Sequence, residues 1–183
     1  GLLIALIFVL QSITAAIPPI SGFTISLVLI PSVLGAALYG PGAGAILGAA
    51  FGAIVFVNCV TGADAGGQMV FQAGPALCFL VVMGKGILAG LVSGLVYMAL
   101  KKWNPHVAIL MTAIVCPLVN TGTFIVCMLT FFREVLAAWA GGGDIMAYVL
   151  TGLVLANFLP ELIINVVFSP ASARILQIVN KKH

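Results

Sequence analysis

Lys85 stands between Gly84 and Gly86 in the middle of an apolar run. A lysine at mid-membrane depth costs about 2.5 to 3.5 kcal/mol on insertion scales, so it faces a partner, a cavity or a ligand. Asn157, Glu161 and Asn165 follow one another at intervals of four, which on a helix puts all three on one face. Cys116, Asn120, Phe124 and Cys127 stack in the same way on another run, with Thr121 and Thr123 alongside. If these runs cross a bilayer in alternation, Lys85, Asn120 and Asn157 come to nearly one depth below the outer surface, with Glu161 a turn deeper. Pro117 precedes Asn120 by three residues and Pro160 lies between Asn157 and Glu161, and each removes a backbone hydrogen bond and frees a carbonyl. Two readings stay open. Either Lys85 and Glu161 form a buried ion pair with the asparagines as interhelical hydrogen-bonding groups, or these residues line a ligand cavity. In the cavity reading Lys85 is the counter-ion of a carboxylate, and Asn120 and Asn157 satisfy ligand oxygens or N–H groups. The two are compatible, since an ion pair in an empty cavity could open when ligand arrives.

The elements that must position these residues are membrane helices. Of 183 residues 63% are apolar and 6% charged, against about 45 to 50% and about 25% in soluble domains, so the chain cannot cover a water-facing surface of its own. At about 20 residues per span there is room for six short helices and none for a soluble catalytic domain. The apolar runs fall at about 1–17, 22–40, 43–60, 75–100, 106–132 and 145–168. The expectation is an all-α integral membrane protein, a single membrane-embedded substrate-binding domain over 1–183. Without an initiating Met, some N-terminal residues are expected to be missing, and the first run, which carries no cleavage site, reads as a true span. Lys101, Lys102, Arg174, Lys181 and Lys182 collect on one side, while Arg133, Asp64, Glu134 and Asp144 lie opposite. The positive-inside rule then makes both termini cytoplasmic. The tail after Pro170 suits either an interfacial helix or an extension of the sixth span.

Small residues recur at fourfold spacing: Gly44, Gly48 and Gly52 in the third run, Gly86, Gly90 and Gly94 around the fourth. In lipid such stripes let helices approach closely. Packing inside the bundle is the first reading for Gly44, Gly48 and Gly52, and a partner-docking face the second. Gly1 and Ala5 form another small pair at the cytoplasmic end of a bulky helix, where a partner helix could approach. Two long outer loops, from Thr61 and from Arg133, contain Gly runs and read as lids over the cavity. Gln68, Gln72 and Trp139 are the loop residues best able to touch a small polar ligand.

Several functions are excluded by what is missing. No GxxxxGK[ST] phosphate loop occurs, so ATP hydrolysis must come from a partner. His106 and His183 lie at or beyond the inner edge, which leaves no base for an intramembrane hydrolase. No carboxylate and histidine cluster suggests a metal site. The cysteines, Cys59, Cys78, Cys116 and Cys127, lack CxxC spacing, indicate neither a disulfide framework nor zinc, and read as membrane-core filler. The expectation is binding and transport rather than catalysis.

The chain resembles the substrate-binding S components of energy-coupling factor (ECF) vitamin transporters. The resemblance runs through six short spans, Gly1 to Ala5, the stretch from Pro31 to the GPGAG turn and the glycine-spaced third run, and PLVNTGTF from Pro117 to Phe124. It implies capture of a vitamin on the outer side, followed by toppling in the membrane and docking on a transmembrane coupling protein driven by two ATPases. It also implies that Gly1 and Ala5 meet the coupling protein, although the first position is usually Ala. The NTGTF and NFLPELIIN stretches look most like pantothenate-specific S components, and Lys85 with several amides suits pantothenate's carboxylate, amide and hydroxyls. Riboflavin, folate and biotin remain alternatives. A standalone carrier or channel with Lys85 and Glu161 as an ion relay is the runner-up, against which no repeat of three plus three helices is visible.

Overall fold

Proline, glycine and short polar side chains set the helix boundaries. The computed structural model describes residues 2–16 and 29–180, all helix and connecting turns without a strand among them. Helix α1 (Leu2–Ala16) and α2 (Leu29–Tyr39) are followed by α3 (Pro41–Thr61), which begins with Pro at its first turn and ends on Gly62 in the left-handed conformation, φ 79°. A proline there loses no hydrogen bond, and a glycine tolerates the left-handed turn that satisfies the last carbonyls. Pro75 opens α5 (Pro75–Leu100) and Pro105 opens α6 (Pro105–Phe131), where the Asn104 side chain accepts from the N–H groups of His106 and Val107.

The two long loops are themselves helical. Asp64 caps α4 (Ala65–Ala73) by accepting from Gly67 N–H at 3.1 Å, and α7 (Arg133–Trp139) follows α6 directly. Asp144 caps the single turn of α8 (Ile145–Tyr148). The chain then widens into a π-helical stretch, Val149–Phe158, before α9 (Leu159–Asn180). Pro160 explains the widening: it has no N–H and its ring crowds the carbonyl four residues back, so the ladder before it opens to the longer bonding pattern, as in Leu159 N–H to Val154 O.

The sixth expected span, 145–168, runs on to Asn180, so the tail extends that helix rather than forming a separate interfacial one. Pro170 does not stop it. The carbonyl that this proline leaves free, that of Val166, accepts from Ser169 Oγ at 2.8 Å. Four helices are long and apolar enough to cross a membrane, namely α3, α5, α6 and the continuous rod Ile145–Val179, while the apolar parts of α1 and α2 cover only Leu2–Thr14 and Leu29–Tyr39. The expected six short spans thus correspond, among the described residues, to four long and two shorter apolar helices, and the remainder of the second expected span, 22–28, lies outside them.

The tightest seam joins α3 to α5. Gly44 faces the carbonyl of Gly90, Gly48 that of Gly86, and Gly52 that of Val82, so that backbone meets backbone with no side chain between. Small residues permit this approach, and in lipid it supplies the van der Waals contact that holds helices together. Next to this pair α6 packs on α5, and α9 packs on α6. Leu80 on α5, Val126 on α6 and Val167 on α9 are 63%, 64% and 66% exposed, as apolar side chains facing lipid would be.

Candidate functional site

Seven of the helical elements converge on one cavity of about 50 Å³. Gln11 comes from α1, Asn58 and Cys59 from the end of α3, and Asp64 with Gly67 and Val70 from the cap and body of α4. Opposite them stand Cys78 and Lys85 of α5, and Asn120, Thr121 and Phe124 of α6. Asn157 of the π-helical stretch and Glu161 of α9 complete the wall. Lys85, Asn120, Asn157 and Glu161 are thus brought together. Spacing on each helix set their faces, and the packing of α5, α6 and α9 turned those faces toward one another.

Lys85 is half-buried, and its ammonium lies against aromatic rings. Nζ is 4.7 Å from the centre of the Phe124 ring and 5.9 Å from that of Phe51. A ring face attracts a cation by about 0.5 to 2 kcal/mol, more where water is excluded, which holds the charge on the cavity without neutralising it. Glu161, 1% exposed, has a hydrogen-bonding neighbour in Asn165, whose Nδ2 donates to the Glu161 carbonyl at 2.8 Å.

Around this cation the wall offers acceptor atoms. Gln11, Asn120 and Thr121 are almost fully buried, and Gln11 Oε1, Asn120 Oδ1 and Thr121 Oγ1 find no hydrogen-bond partner among the described residues. Buried polar atoms are nearly always satisfied, so three in one wall mark a place where a polar guest or ordered water belongs. Gln11 and Asn58 were not singled out by sequence. The available signal for Gln11 was an amide in an otherwise apolar run, a rare and functional feature by default in membrane helices.

The loop residues take other places. Gly67 and Val70 form the inner face of α4, so Gln72 is turned outward and exposed, while the Gln68 amide folds over Gly62. Trp139 donates from Nε1 to Met69 Sδ at 3.2 Å and lies 6.4 Å from the Tyr148 ring, joining α7 to α4 and α8. None of the three lines the cavity, and Trp139 ties the loops to one another. Gly44, Gly48 and Gly52, the alternative docking face, are buried against α5, which leaves no room there for a partner. Ala5 is exposed on α1 beside Leu2, Ile4 and Phe8, and Gly1 lies outside the described residues. The filler reading of the cysteines needs correction at one point, because Cys59 and Cys78 are in side-chain contact at the cavity wall.

A bundle of apolar helices around one small polar cavity defines a multi-pass membrane protein with a binding site for a small molecule. The chain belongs to the family described as ECF transporter, substrate-specific component, whose model matches residues 1–172. No curated protein matches it. Family membership makes it the substrate-binding subunit of a transporter that works with an ECF module.

Proposed function

We propose that the protein captures pantothenate at the outer face of a prokaryotic plasma membrane. It then delivers the vitamin to a transmembrane coupling protein driven by two ATPases, which hydrolyse the ATP. Both termini are cytoplasmic in this scheme, and the cavity beneath α4 and α7 opens outward. The observation that supports it is Lys85, a cation held on the cavity by ring faces among amide side chains. That set suits a small aliphatic acid with amide and hydroxyl groups.

Titration calorimetry of the detergent-solubilised chain with pantothenate, its alcohol analogue, biotin, riboflavin and folate tests the reading. Pantothenate should bind tightest, and the alcohol should lose the contribution of the carboxylate. Tighter binding of riboflavin or folate would replace the substrate and leave the family unaffected.

A further inference from the structure

Two of the four cysteines meet at the cavity. Cys59 lies in the last turn of α3 and Cys78 in the first turn of α5, with all of α4 between them in the chain. Their side chains are neighbours in the cavity wall. Both side chains are buried, at 1% and 0% exposure, and both line the cavity. Helix α4 lies directly over them: Gly67 packs so closely on Cys59 Sγ that a Cβ at this position would overlap the sulfur. The remaining thiols are elsewhere, Cys116 buried within α6 and Cys127 half-buried further along it, and neither lines the cavity. Among the described residues no group of three His, Cys, Asp or Glu could hold a metal ion, so the chemistry open to this pair is that of a dithiol.

We propose that Cys59 and Cys78 form a redox-sensitive closure, in which a small peroxide entering the cavity converts them to a disulfide that ties α3 to α5 beneath α4. One thiol attacks a peroxide oxygen, the O–O bond breaks, and a sulfenic acid and one water are formed. The second thiol then attacks that sulfur, the S–O bond breaks, and a second water leaves, so two thiols are oxidised as one hydrogen peroxide is reduced. A water needs about 10 to 15 Å³ of such space, so the cavity of about 50 Å³ has room for a peroxide. Once formed, the bond holds both ends of the segment carrying α4, and openings of that helix become rarer.

The test treats the full chain in detergent micelles with hydrogen peroxide and needs no vitamin, so its outcome is independent of the substrate assignment. Of the 4 thiols, 2 should remain after treatment, a peptide map should join Cys59 to Cys78, and dithiothreitol should restore all of them. Amide exchange across Ala65–Ala73 should slow by roughly tenfold in the oxidised protein. Cys127→Ser should behave like the parent and Cys78→Ser should form no link, while the parent's peptide map decides the matter should either variant fold poorly. A bond to Cys116 or Cys127, oxidation beyond sulfenic acid without a cross-link, or unchanged exchange in α4 would overturn the proposal.

Discussion

The ammonium of Lys85 lies 4.7 Å from the centre of the Phe124 ring, so the cation of α5 rests on an aromatic face of α6. A charge held this way keeps its hydrogen-bond donors available, which is what a carboxylate ligand requires. Lys85→Met should weaken pantothenate binding about 10-fold to 150-fold, the equivalent of about 1.5 to 3 kcal/mol for a charge-assisted contact. The variant should bind pantothenate and its alcohol analogue equally well in calorimetry. Equal binding of the two by the unsubstituted protein would remove Lys85 from the site.

The α3–α5 seam predicts a sharp contrast between two glycines. A side chain at Gly48 meets the Gly86 carbonyl, backbone that cannot step aside. Gly48→Val should cost about 3 kcal/mol or more. A side-chain carbon added at Gly84 meets nothing within 4 Å, so Gly84→Ala should stabilise α5 by about 0.5 to 1 kcal/mol. Thermal unfolding in one detergent should move the midpoints in opposite directions, and a Gly48→Val midpoint equal to the parent's would disprove the packing.

Ala5 offers a separate test of partner docking. It is exposed on α1 and contributes nothing to the cavity. Reconstituted alone, the chain should bind ligand without accumulating it, and adding the coupling protein and ATPases should give ATP-dependent uptake. Ala5→Leu should cut that uptake while leaving equilibrium binding intact, because bulk at this point blocks close helix approach. Uptake unchanged by Ala5→Leu would move the docking face elsewhere, and concentrative uptake by the isolated chain would remove the need for a partner.

Trp139 joins the loops through its Nε1–H bond to Met69 Sδ at 3.2 Å. Trp139→Phe keeps a ring and removes the donor. Loss of a hydrogen bond of this kind, at most about 1 kcal/mol net, should raise amide exchange in α4 and speed ligand dissociation by about twofold to fivefold. Stopped-flow dissociation with an unchanged rate would show that the α4–α7 tie does not control access.

Much of the site was legible because polar residues in apolar runs are conspicuous and helical spacing fixes their faces. Counting alone put Lys85, Asn120, Asn157 and Glu161 on the helix faces that line the cavity. The Gln11 contribution required the tertiary arrangement, since a lone amide near a helix end has no spacing partner to mark it. Gln68, Gln72 and Trp139 stand off the cavity wall because the loops that carry them are helical, and a helix shows only one face to the cavity. Gly67 and Val70 occupy that face, and neither has a side chain that suggests binding. The meeting of Cys59 with Cys78 was equally hidden, because it depends on α3 and α5 lying in contact across the α4 loop rather than on any local motif. Sequence left the tail after Pro170 open between an interfacial helix and an extension of the last span, and the choice rests on Ser169, which satisfies the carbonyl that Pro170 frees.

The glycine-on-glycine seam divides the cavity into a part that can diverge and a part that cannot. Lys85 adjoins Gly86, whose backbone is pressed against Gly48, so the seam fixes the backbone that carries the cation. With Lys85 as the proposed counter-ion, descendants of this chain that turned to a different acid would keep that backbone position. They would reshape the remainder of the pocket through the wall built by α6, the π-helical stretch and α9, where side chains separate the helices. A library intended to alter substrate preference belongs at Thr121 and Asn157, with the α3–α5 face and Phe124, on which the ammonium rests, left untouched.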